Sequence, residues 1–455
     1  MSDKLVISEE NQNFSHKSLK LRIYPTQEQI QIIEKTFGCC RFVYNERLQE
    51  RNEFYIENIL SIPKENKLER AKAYSKYKPS DLKSKFPFLK KVSSQALCQS
   101  ENDLKNAYNN FFKSCKGTRK GKFGFPKFKS KKASRHSYRE CMVSPTALNF
   151  FSKYVKIPKL GKVSFSHDSL PKWYFSKTKL CNITIEKHSS GKYYAVLLFE
   201  IVPQIQKIEN RQESIGLDFS PSEFYINSDG KSGKDFGYVA QKQTNHKKLK
   251  RLQRAYARKI NLKQESSPKK IPSKNKQKAR IKLARFEERI ANKRKDFIEK
   301  ESLRLVRSYD KVVVEDLNLK GISKFLRNAK NMNDTSWATF VARLEVKGKD
   351  FDCEVIKADR YFPSSQICSS CGNQYHELKL SEREWTCSCC GTHHIRDVNA
   401  AINLKSYVPL ERRKLTPVDS DISKLAEPAL QAETLEETGK VQATIPKKMP
   451  AFKLA

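Results

Sequence analysis

The amino-acid sequence predicts a multi-domain protein of the α+β class. Three observations predict this class: helical periodicity over residues 26–115, alternating apolar and polar residues over 141–203, and strands that alternate with helices from residue 214 onward. The chain has 455 residues, which is more than one average domain. We therefore expect two or three folding units, each able to bury a core.

The N-terminal part predicts a strand followed by helices. Residues 18–26 (SLKLRIYPT) alternate apolar and polar side chains and reach a proline, which is typical of a strand, and Thr26 is placed to cap a helix. The next apolar residues recur at near-helical spacing, and Gly38 predicts a break between two helices. Further helices are predicted over 66–77 and 93–115.

A basic and aromatic segment, residues 113–139, follows these helices. Its lysines and arginines interleave with phenylalanines and a tyrosine, while its glycines and Pro126 disfavour a helix. Aromatic faces stack on bases and basic side chains follow phosphates, so the segment predicts a nucleic-acid contact strip that includes Lys127 and Lys129. A soluble basic linker is the alternative interpretation.

The next segments predict a small β domain and then an α/β unit. Within 141–203, two alternating runs joined by a Ser-Gly turn predict a hairpin. Residues 214–229 predict two more strands, and 309–319 (YDKVVVEDLNL) predict a buried one. Between them, residues 241–300 hold 22 Lys or Arg against 5 Asp or Glu, which favours phosphate contact by two helices over a merely solvated face. Residues 263–276 are predicted to join these helices.

The overall composition indicates a polyanionic partner. Lys plus Arg number 89 against 50 Asp plus Glu, and the formal net charge is +39. Nucleic acid supplies the opposing charge along its phosphates, and an anionic membrane surface is the competing partner. No stretch approaches the roughly 18–20 apolar residues of a spanning helix, and the first residues lack the apolar core of a signal peptide. We expect a soluble protein that is cytoplasmic and nucleoid-associated, or nuclear in a eukaryote.

Four cysteines have the spacing of two zinc knuckles. Each pair is Cys-x2-Cys, fifteen residues separate the pairs, and a glycine that permits a tight turn follows each pair. Four thiolates leave no position for water, so the pattern predicts one structural Zn²⁺. Cys389 is interpreted as a bystander, and His376, His393 and His394 remain alternative ligands. The predicted ligands are Cys368, Cys371, Cys387 and Cys390.

Three carboxylates are candidates for a second metal site. Asp218 follows apolar residues in a predicted strand, and Glu315 follows three consecutive valines in another. An unpaired charge at such a place is unfavourable unless it binds a cation. Asp397 begins a predicted helix. Together these acids suit two Mg²⁺ ions that cleave a phosphodiester, although a structural role is the favoured interpretation of each acid taken singly.

The ordered motifs resemble TnpB, a family of transposon-encoded RNA-guided DNA endonucleases related to compact type V CRISPR effectors. The resemblance covers nearly the whole chain and rests on LRIYPTQEQ, FGCCRFVYN, FPKFKSKK, SIGLDFS, VVVEDLNLKG, RYFPSSQICSSCG and RDVNAAINL. It implies an RNase H-like (RuvC) nuclease core with an inserted zinc ribbon, a wedge β-barrel and a helical recognition domain. It also matches Asp218, Glu315 and Asp397 to the three catalytic acids of RuvC.

The resemblance implies a domain order and two partners, a guide RNA and double-stranded target DNA. Regions that contact the flanking motif of the target would include Ser94, Gln95, Arg139 and Ser144. The implied domains are a leader with the first wedge strand (1–25), the recognition domain (26–134), the wedge (135–208), the RuvC core (209–365) with a basic helical insertion (240–300), the zinc ribbon (366–393), the last RuvC helix (394–410) and a disordered tail (411–455).

Two positions depart from the family pattern. Ser220 stands where the first RuvC motif usually has glycine, and Ile395 stands where an aspartate often precedes the last motif. Three other functions compete with a guided nuclease: a nuclease-inactive RNA-guided DNA-binding repressor, a transposase, and an RNA chaperone driven by charge alone. The intact acids disfavour the first, the zinc ribbon and wedge-like segment disfavour the second, and the ordered acids disfavour the third.

Overall fold

The computed structural model describes most of the chain between residues 14 and 409. The described residues are 14–63, 66, 69, 72–73, 76–119, 121, 123–132, 136–141, 147–149, 152–166, 178–203, 205–236, 242–261, 273–317, 336–379 and 381–409. Three predictions lie wholly or largely outside them: the helix over 66–77, the join over 263–276 and the tail over 411–455.

The chain divides into two compact units, and both helices and strands are present, as predicted. The first unit comprises Met1–Gln212, Gly233–Asp310 and Ser336–Glu354, and the second comprises Glu213–Ser232, Lys311–Thr335 and Val355–Ala455. The bounds of the implied domains stay predictions. None of the described helices has the length and apolarity needed to cross a membrane.

The helices of the described chain are of very different lengths. Two short 3₁₀ segments accompany them, Pro87–Lys91 and Gly233–Phe236. The α-helices are α1 (Gln27–Asn58), α2 (Leu82–Lys85), α3 (Ser94–Cys115), α4 (Lys242–Asn261), α5 (Lys274–Ser308), α6 (Trp337–Phe351) and α7 (Arg396–Lys405).

Helix α1 is continuous, so the predicted break at Gly38 is wrong. A capping box starts the helix: the Gln29 N–H donates to Thr26 Oγ1 (3.3 Å) and the Thr26 N–H donates to Gln29 Oε1 (3.0 Å). Glycine weakens a helix interior by only about 1 kcal/mol. Buried apolar residues on both sides of Gly38, including Phe37 and Val43, outweigh that penalty.

The first unit is built on a seven-stranded sheet of antiparallel pairs, in the order β2-β6-β7-β1-β5-β4-β3. The hairpin of β6 and β7 confirms the predicted Ser-Gly turn, where Gly191 has a φ of 81°. The strands are β1 (Ser15–Tyr24), β2 (His136–Glu140), β3 (Leu148–Asn149), β4 (Tyr154–Ile157), β5 (Gly161–Ser166), β6 (Thr178–Lys187) and β7 (Tyr193–Ile201).

The main core of this unit lies between the sheet and helices α1 and α3. Alternate residues of β1, such as Leu21 and Ile23, are buried with alternate residues of β7, such as Leu197. Ile33 of α1 and Leu97 of α3 complete the same cluster. Elsewhere in the unit, the basic helix α5 pairs with α4 and with α6.

The second unit contains a four-stranded sheet in the order β11-β10-β8-β9, the helix α7 and a small two-stranded sheet. Val313 of β10 and Leu404 of α7 are fully buried in one cluster. The strands of the larger sheet are β8 (Gln212–Ser220), β9 (Phe224–Asn227), β10 (Tyr309–Glu315) and β11 (Glu354–Ala358), and those of the smaller one are β12 (Glu384–Thr386) and β13 (His393–Ile395).

Helix α7 packs directly against the backbone of β8 at Gly216. A Cβ atom on Gly216 would lie 2.0 Å from the carbonyl oxygen of Ala401 and 2.5 Å from the backbone nitrogen of Lys405. Both atoms belong to the helix backbone, so no side chain can rotate to relieve the clash. Glycine is therefore required for this packing.

Gly216→Ala and Gly38→Ala are expected to change stability in opposite directions. Gly216→Ala forces α7 away from β8, which we expect to destabilise the second unit by about 1–3 kcal/mol, the range of overpacked cores. Gly38→Ala is the matched control, because its Cβ would meet nothing within 4 Å in a helix interior, and it is expected to stabilise by about 0.5–1 kcal/mol. Thermal unfolding of both variants tests this, and equal shifts would contradict the packing at Gly216.

Candidate active site and metal centre

The four predicted cysteine ligands converge on one point of the second unit. The Sγ atoms of Cys368 and Cys390 lie 3.6 Å apart, as do those of Cys371 and Cys387, and all four lie within 4.8 Å of one another. A Zn²⁺ at about 2.3 Å from each sulfur of a tetrahedron requires a sulfur separation of about 3.8 Å. The cluster therefore has the size and donor set of a closed zinc site.

Two equivalent turns bring the sulfurs together. The Gly372 N–H donates to the Cys368 carbonyl (2.8 Å), and the Gly391 N–H donates to the Cys387 carbonyl (2.9 Å). The two glycines have φ values of 77° and 71°, which side chains other than glycine rarely adopt. The repeated Cys-x2-Cys-Gly sequence therefore folds into a repeated geometry.

Hydrogen bonds lower the thiol pKa of Cys387 and Cys390, whereas hydrogen bonds with the other thiols raise the pKa of Cys371. The Thr392 hydroxyl, helped by its backbone N–H, lowers the pKa of Cys390 to about 6. His394 lies beside the cluster, where its Nε2 is 3.0 Å from the Sγ of Cys368, and burial lowers the pKa of this histidine. A neutral imidazole there is suited to a hydrogen bond with a thiolate. Cys389 is exposed and is absent from the cluster.

The three candidate acids also come together in the second unit. Asp218 lies near the end of β8, Glu315 is the last residue of the neighbouring β10, and Asp397 is in the first turn of α7. The carboxyls of Asp218 and Glu315 share a hydrogen bond, and the charge of Asp397 acts on both. Segments separated by up to 179 residues of sequence thus meet at one place.

Burial and mutual repulsion make these acids difficult to ionise together. Burial, followed by the charges of Glu315 and Asp397, raises the pKa of Asp218 well above its usual range. Burial also raises the pKa of Glu315, against the opposing effect of hydrogen bonds from Ser364 and Asp218 and from the Phe219 backbone. A divalent cation would relieve this repulsion, and carboxylate oxygens are the ligands that Mg²⁺ prefers.

One arginine that the sequence did not single out contacts the acids. Arg383, just before β12, places its Nη1 at 3.4 Å and 3.5 Å from the two carboxylate oxygens of Asp397. The side chain of Arg383 is 71% exposed, and these contacts are long for a charge-assisted pair. It is therefore held loosely and has room to turn. The sequence could not predict the contact of Arg383 with Asp397, because a single arginine beside a short strand forms no periodic pattern.

Polar residues that the sequence did not single out connect the two sites. Asn399 and Asn403 of α7 hydrogen-bond to the backbone near Cys368, and the Ser364 hydroxyl donates to Glu315 Oε1 (3.1 Å). One feature of the sequence could have indicated them. Two asparagines lie one turn apart in the interior of a predicted helix, where asparagine is unfavourable unless its side chain has a hydrogen-bond partner.

One of the two departures from the family pattern, Ser220, has a local explanation, and nothing in the structure explains the other, Ile395. Ser220 is buried, and its hydroxyl accepts a hydrogen bond from the Glu223 N–H (3.3 Å) in the turn between β8 and β9. Ile395 is exposed and precedes α7 without a side-chain cap. An aspartate at this position would be able to cap the helix, which isoleucine cannot do.

The six candidate nucleic-acid contacts do not form one group. Lys129 and Arg139 line the same cavity of about 260 Å³, together with Arg41 and His136. The side chains of Ser94, Gln95 and Lys127 are absent from its lining, and Ser144 lies outside the described residues. Ser94 instead accepts a hydrogen bond from the Lys83 ammonium (2.9 Å).

Comparison with known proteins decides the family. Three family models match the chain: "Helix-turn-helix domain" over residues 15–59, "Probable transposase" over 197–326 and "Cas12f1-like, TNB domain" over 337–404. A Streptomyces pristinaespiralis protein named "Putative RNA-guided DNA endonuclease" is 32% identical over 388 residues, which are 85% of this chain and 88% of that protein. "TnpB-like protein L79" of Acanthamoeba polyphaga mimivirus is 24% identical over 85% of this chain and 72% of its own.

The chain belongs to the TnpB family. This TnpB-family chain also has a low similarity to a solved structure titled "Cryo-EM structure of the Cas12f1-sgRNA-target DNA complex", with 16% identity and a TM-score of 0.42 over 86% of this chain and 99% of the other. A TM-score at this level does not by itself establish a shared fold.

Neighbouring cysteines provide a test of the four-cysteine site. We expect the wild-type chain and Cys389→Ser to purify with one zinc per chain, whereas Cys390→Ser loses most of its zinc and melts at a lower temperature, because three sulfurs no longer close the tetrahedron. Elemental analysis of the purified proteins measures the zinc. Retention of zinc by Cys390→Ser, or its loss from Cys389→Ser, would show that the ligand set is different.

The raised pKa of Asp218 has a consequence for stability in the absence of cations. The unfolded aspartate ionises near pH 4, so above that pH the folded chain loses stability until the raised folded pKa is passed. Asp218→Asn removes this loss. In EDTA at pH 7 we therefore expect the variant to melt at a higher temperature than the wild type.

The same measurement has two internal checks. The gain should vanish as the pH falls below 4, where the aspartate is protonated in both states, and Mg²⁺ should stabilise the wild type more than Asp218→Asn. Asp316→Asn is the control, because Asp316 is half-exposed beside Arg360 and its loss should lower the melting temperature slightly or leave it unchanged. A lower melting temperature for Asp218→Asn at every pH would mean that the acids do not repel one another.

Proposed function

We propose that this chain is an RNA-guided DNA endonuclease that cuts target DNA beside a short flanking motif. The observation that carries the proposal is the meeting of Asp218, Glu315 and Asp397, from two neighbouring strands and one helix, at the edge of one sheet. Its family relatives bear the name of RNA-guided DNA endonuclease. The sheet and α7 would then be the RuvC nuclease core.

The three acids would hold two Mg²⁺ ions, and the fit rests on the chemistry of the donors. Three half-buried carboxylates supply the hard oxygen ligands that Mg²⁺ prefers, and Asp218, Glu315 and Asp397 would hold the ions. When bound, such ions activate a water molecule and stabilise the leaving oxygen of an in-line displacement.

The protein's own groups prepare this site. Ser364 orients Glu315 by its hydrogen bond, and the hydrogen bond that Asp218 and Glu315 share holds their carboxyls together. Arg383 partly neutralises Asp397, and its exposed guanidinium is within reach of a phosphate that approaches the acids. Binding of DNA would thus exchange an internal ion pair for contacts with the substrate.

The four cysteines would hold one structural Zn²⁺. The donor set fits, because four sulfurs at tetrahedral separations satisfy the ion and leave no position for a reacting water. The zinc ribbon would then stabilise the segment between the second and third acids rather than take part in the reaction.

A guide RNA and a double-stranded DNA target would be the partners. The net charge of +39 and the basic faces of α4 and α5 suit a nucleic acid. The exposed ring of Phe128 would stack on a base, whereas Phe123 lies under Arg119 and Phe125 packs edge-on against Tyr108 and Phe111. Guide–target pairing would supply most of the specificity, while Arg139 and a few other side chains would contact the flanking motif. The protein would act in the cytoplasm on nucleoid DNA.

One experiment tests the whole proposal. The chain is purified with the RNA that accompanies it, that RNA is sequenced, and cleavage of a DNA library with a matched target and a randomised flank is assayed with Mg²⁺. Cleavage limited to a subset of flanks supports the proposal. Guided binding without cleavage would instead support the repressor, and strand joining would support the transposase.

Asp218→Ala is expected to abolish cleavage and to leave RNA-dependent DNA binding intact. Loss of a ligand that holds the ions should reduce the rate by about three orders of magnitude, equivalent to about 4 kcal/mol of transition-state stabilisation. Asp316→Ala is the matched control and should cut at nearly the wild-type rate. Rates are measured at saturating Mg²⁺ on a matched target. Normal cutting by Asp218→Ala would disprove the assignment of the three acids.

A further inference from the structure

A chain of hydrogen bonds runs from the four-cysteine site to the acids. Its first part joins α7 to the turn that carries Cys368. The Asn399 side chain accepts a hydrogen bond from the Ser369 N–H (2.9 Å) and donates one to the Ile367 carbonyl (2.7 Å). These two backbone groups flank Cys368, so Asn399 fixes the position of a zinc ligand from both sides.

The second part of the chain uses the next turn of the same helix. Asn403 donates to the Ile367 carbonyl (2.6 Å) and to the Ser364 carbonyl (2.8 Å). Asn399 and Asn403 are four residues apart and therefore lie on one face of α7. Together they hold residues 364–369 against the helix.

The last step reaches the acid site. The Ser364 hydroxyl donates to Glu315 Oε1 at 3.1 Å, while the carbonyl of the same residue accepts from Asn403. Segment 364–369 therefore has a cysteine ligand near one end and the partner of a carboxylate at the other. Helix α7, which holds the segment, also carries Asp397.

Three residues of this chain of hydrogen bonds are buried, and Asn403 and Glu315 are partly buried. Asn399 is 1% exposed, Ser364 is 5% exposed and Cys368 is 1% exposed. The alternative is that the asparagines only satisfy the backbone hydrogen-bonding groups of a loop. That role does not require the separate hydrogen bond from the Ser364 hydroxyl to Glu315. That bond instead gives the loop an influence on the orientation of a proposed metal ligand.

We infer that Ser364, Asn399 and Asn403 are positioning residues that couple the two sites, so that Zn²⁺ at the cysteines strengthens cation binding at the acids. The inference rests on the proposed function, in which the acids hold divalent cations. Loss of an outer partner of a metal ligand typically weakens metal binding about 10–100-fold. Because coupling between binding sites is reciprocal, a cation at the acids should also make zinc harder to remove.

Binding of Mn²⁺ to the full-length chain, followed by electron paramagnetic resonance, measures the coupling without relying on activity. Mn²⁺ serves as the probe for the acid site, and Asp218→Ala identifies the part of the signal that belongs to the acids. We expect Ser364→Ala and Asn403→Ala to keep their zinc and to bind Mn²⁺ about 10-fold more weakly than wild type. Ser370→Ala is the control, because Ser370 is exposed and lies between two zinc ligands. It should bind Mn²⁺ normally.

The reciprocal measurement is competition for zinc by a chelator, with and without Mg²⁺. Mg²⁺ should protect the zinc of wild type and Ser370→Ala but not that of Ser364→Ala. If Asn403→Ala loses zinc or unfolds, Ser364→Ala decides alone, because it leaves the hydrogen bonds between α7 and the cysteine turn in place.

The outcomes separate this inference from the proposed function. Unchanged Mn²⁺ affinity in Ser364→Ala, with binding that Asp218→Ala abolishes, would overturn the coupling and leave the acid site standing. Mn²⁺ binding that is equal in wild type and Asp218→Ala would overturn the acid site itself, and the coupling with it. A loss in Ser370→Ala as large as that in Ser364→Ala would show a general effect on the ribbon and would also overturn the coupling.

Discussion

The contact between helix α7 and the backbone of β8 at Gly216 determines the geometry of the proposed active site. Ala401 meets Gly216 directly, and Asp397 is one helical turn before Ala401, a rise of about 6 Å. Asp218 is two residues after Gly216, which advances about 6.6 Å along the strand and returns to the same face. Asp397 and Asp218 are thus displaced by nearly equal distances from the Gly216–Ala401 contact, which accounts for the electrostatic interaction between the two acids. A wider separation of α7 from β8 would weaken this interaction.

Packing holds the acids together although their charges oppose it. The fully buried valines of β10 and the buried Ala400, Ala401 and Leu404 of α7 fix the two elements, so the carboxylates cannot separate to relieve their repulsion. Repulsion held in place by a core is a common property of sites that take up cations, because the ion supplies the missing charge. Arg383 supplies part of that charge from outside the core, and its exposure lets it do so reversibly.

The sequence predicted elements and local turns better than it predicted contacts between distant residues. Strand β1, helix α3, the β6–β7 hairpin, β10 and the start of α7 follow from short-range periodicity and are confirmed. The break at Gly38 was wrong because its cost is small beside the core that α1 buries. The need for Gly216 could not be predicted, since the backbone that it meets is 185 residues away in sequence. The acids were ambiguous one by one, and their roles rest on the family resemblance.

The place of the cysteine site in the sequence has a physical consequence. It lies between Glu315 and Asp397, so the chain must leave β10 and return to the same end of the sheet. Four sulfurs on one ion would fix the two turns of this excursion with few residues, and Asn399 and Asn403 then hold the returning segment on α7. Because the same segment contributes Ser364 to Glu315, the cysteine site would influence the acids even if it never touches a nucleic acid. Its inferred influence on cation binding at the acids therefore follows from these hydrogen bonds and does not require a surface that contacts nucleic acid.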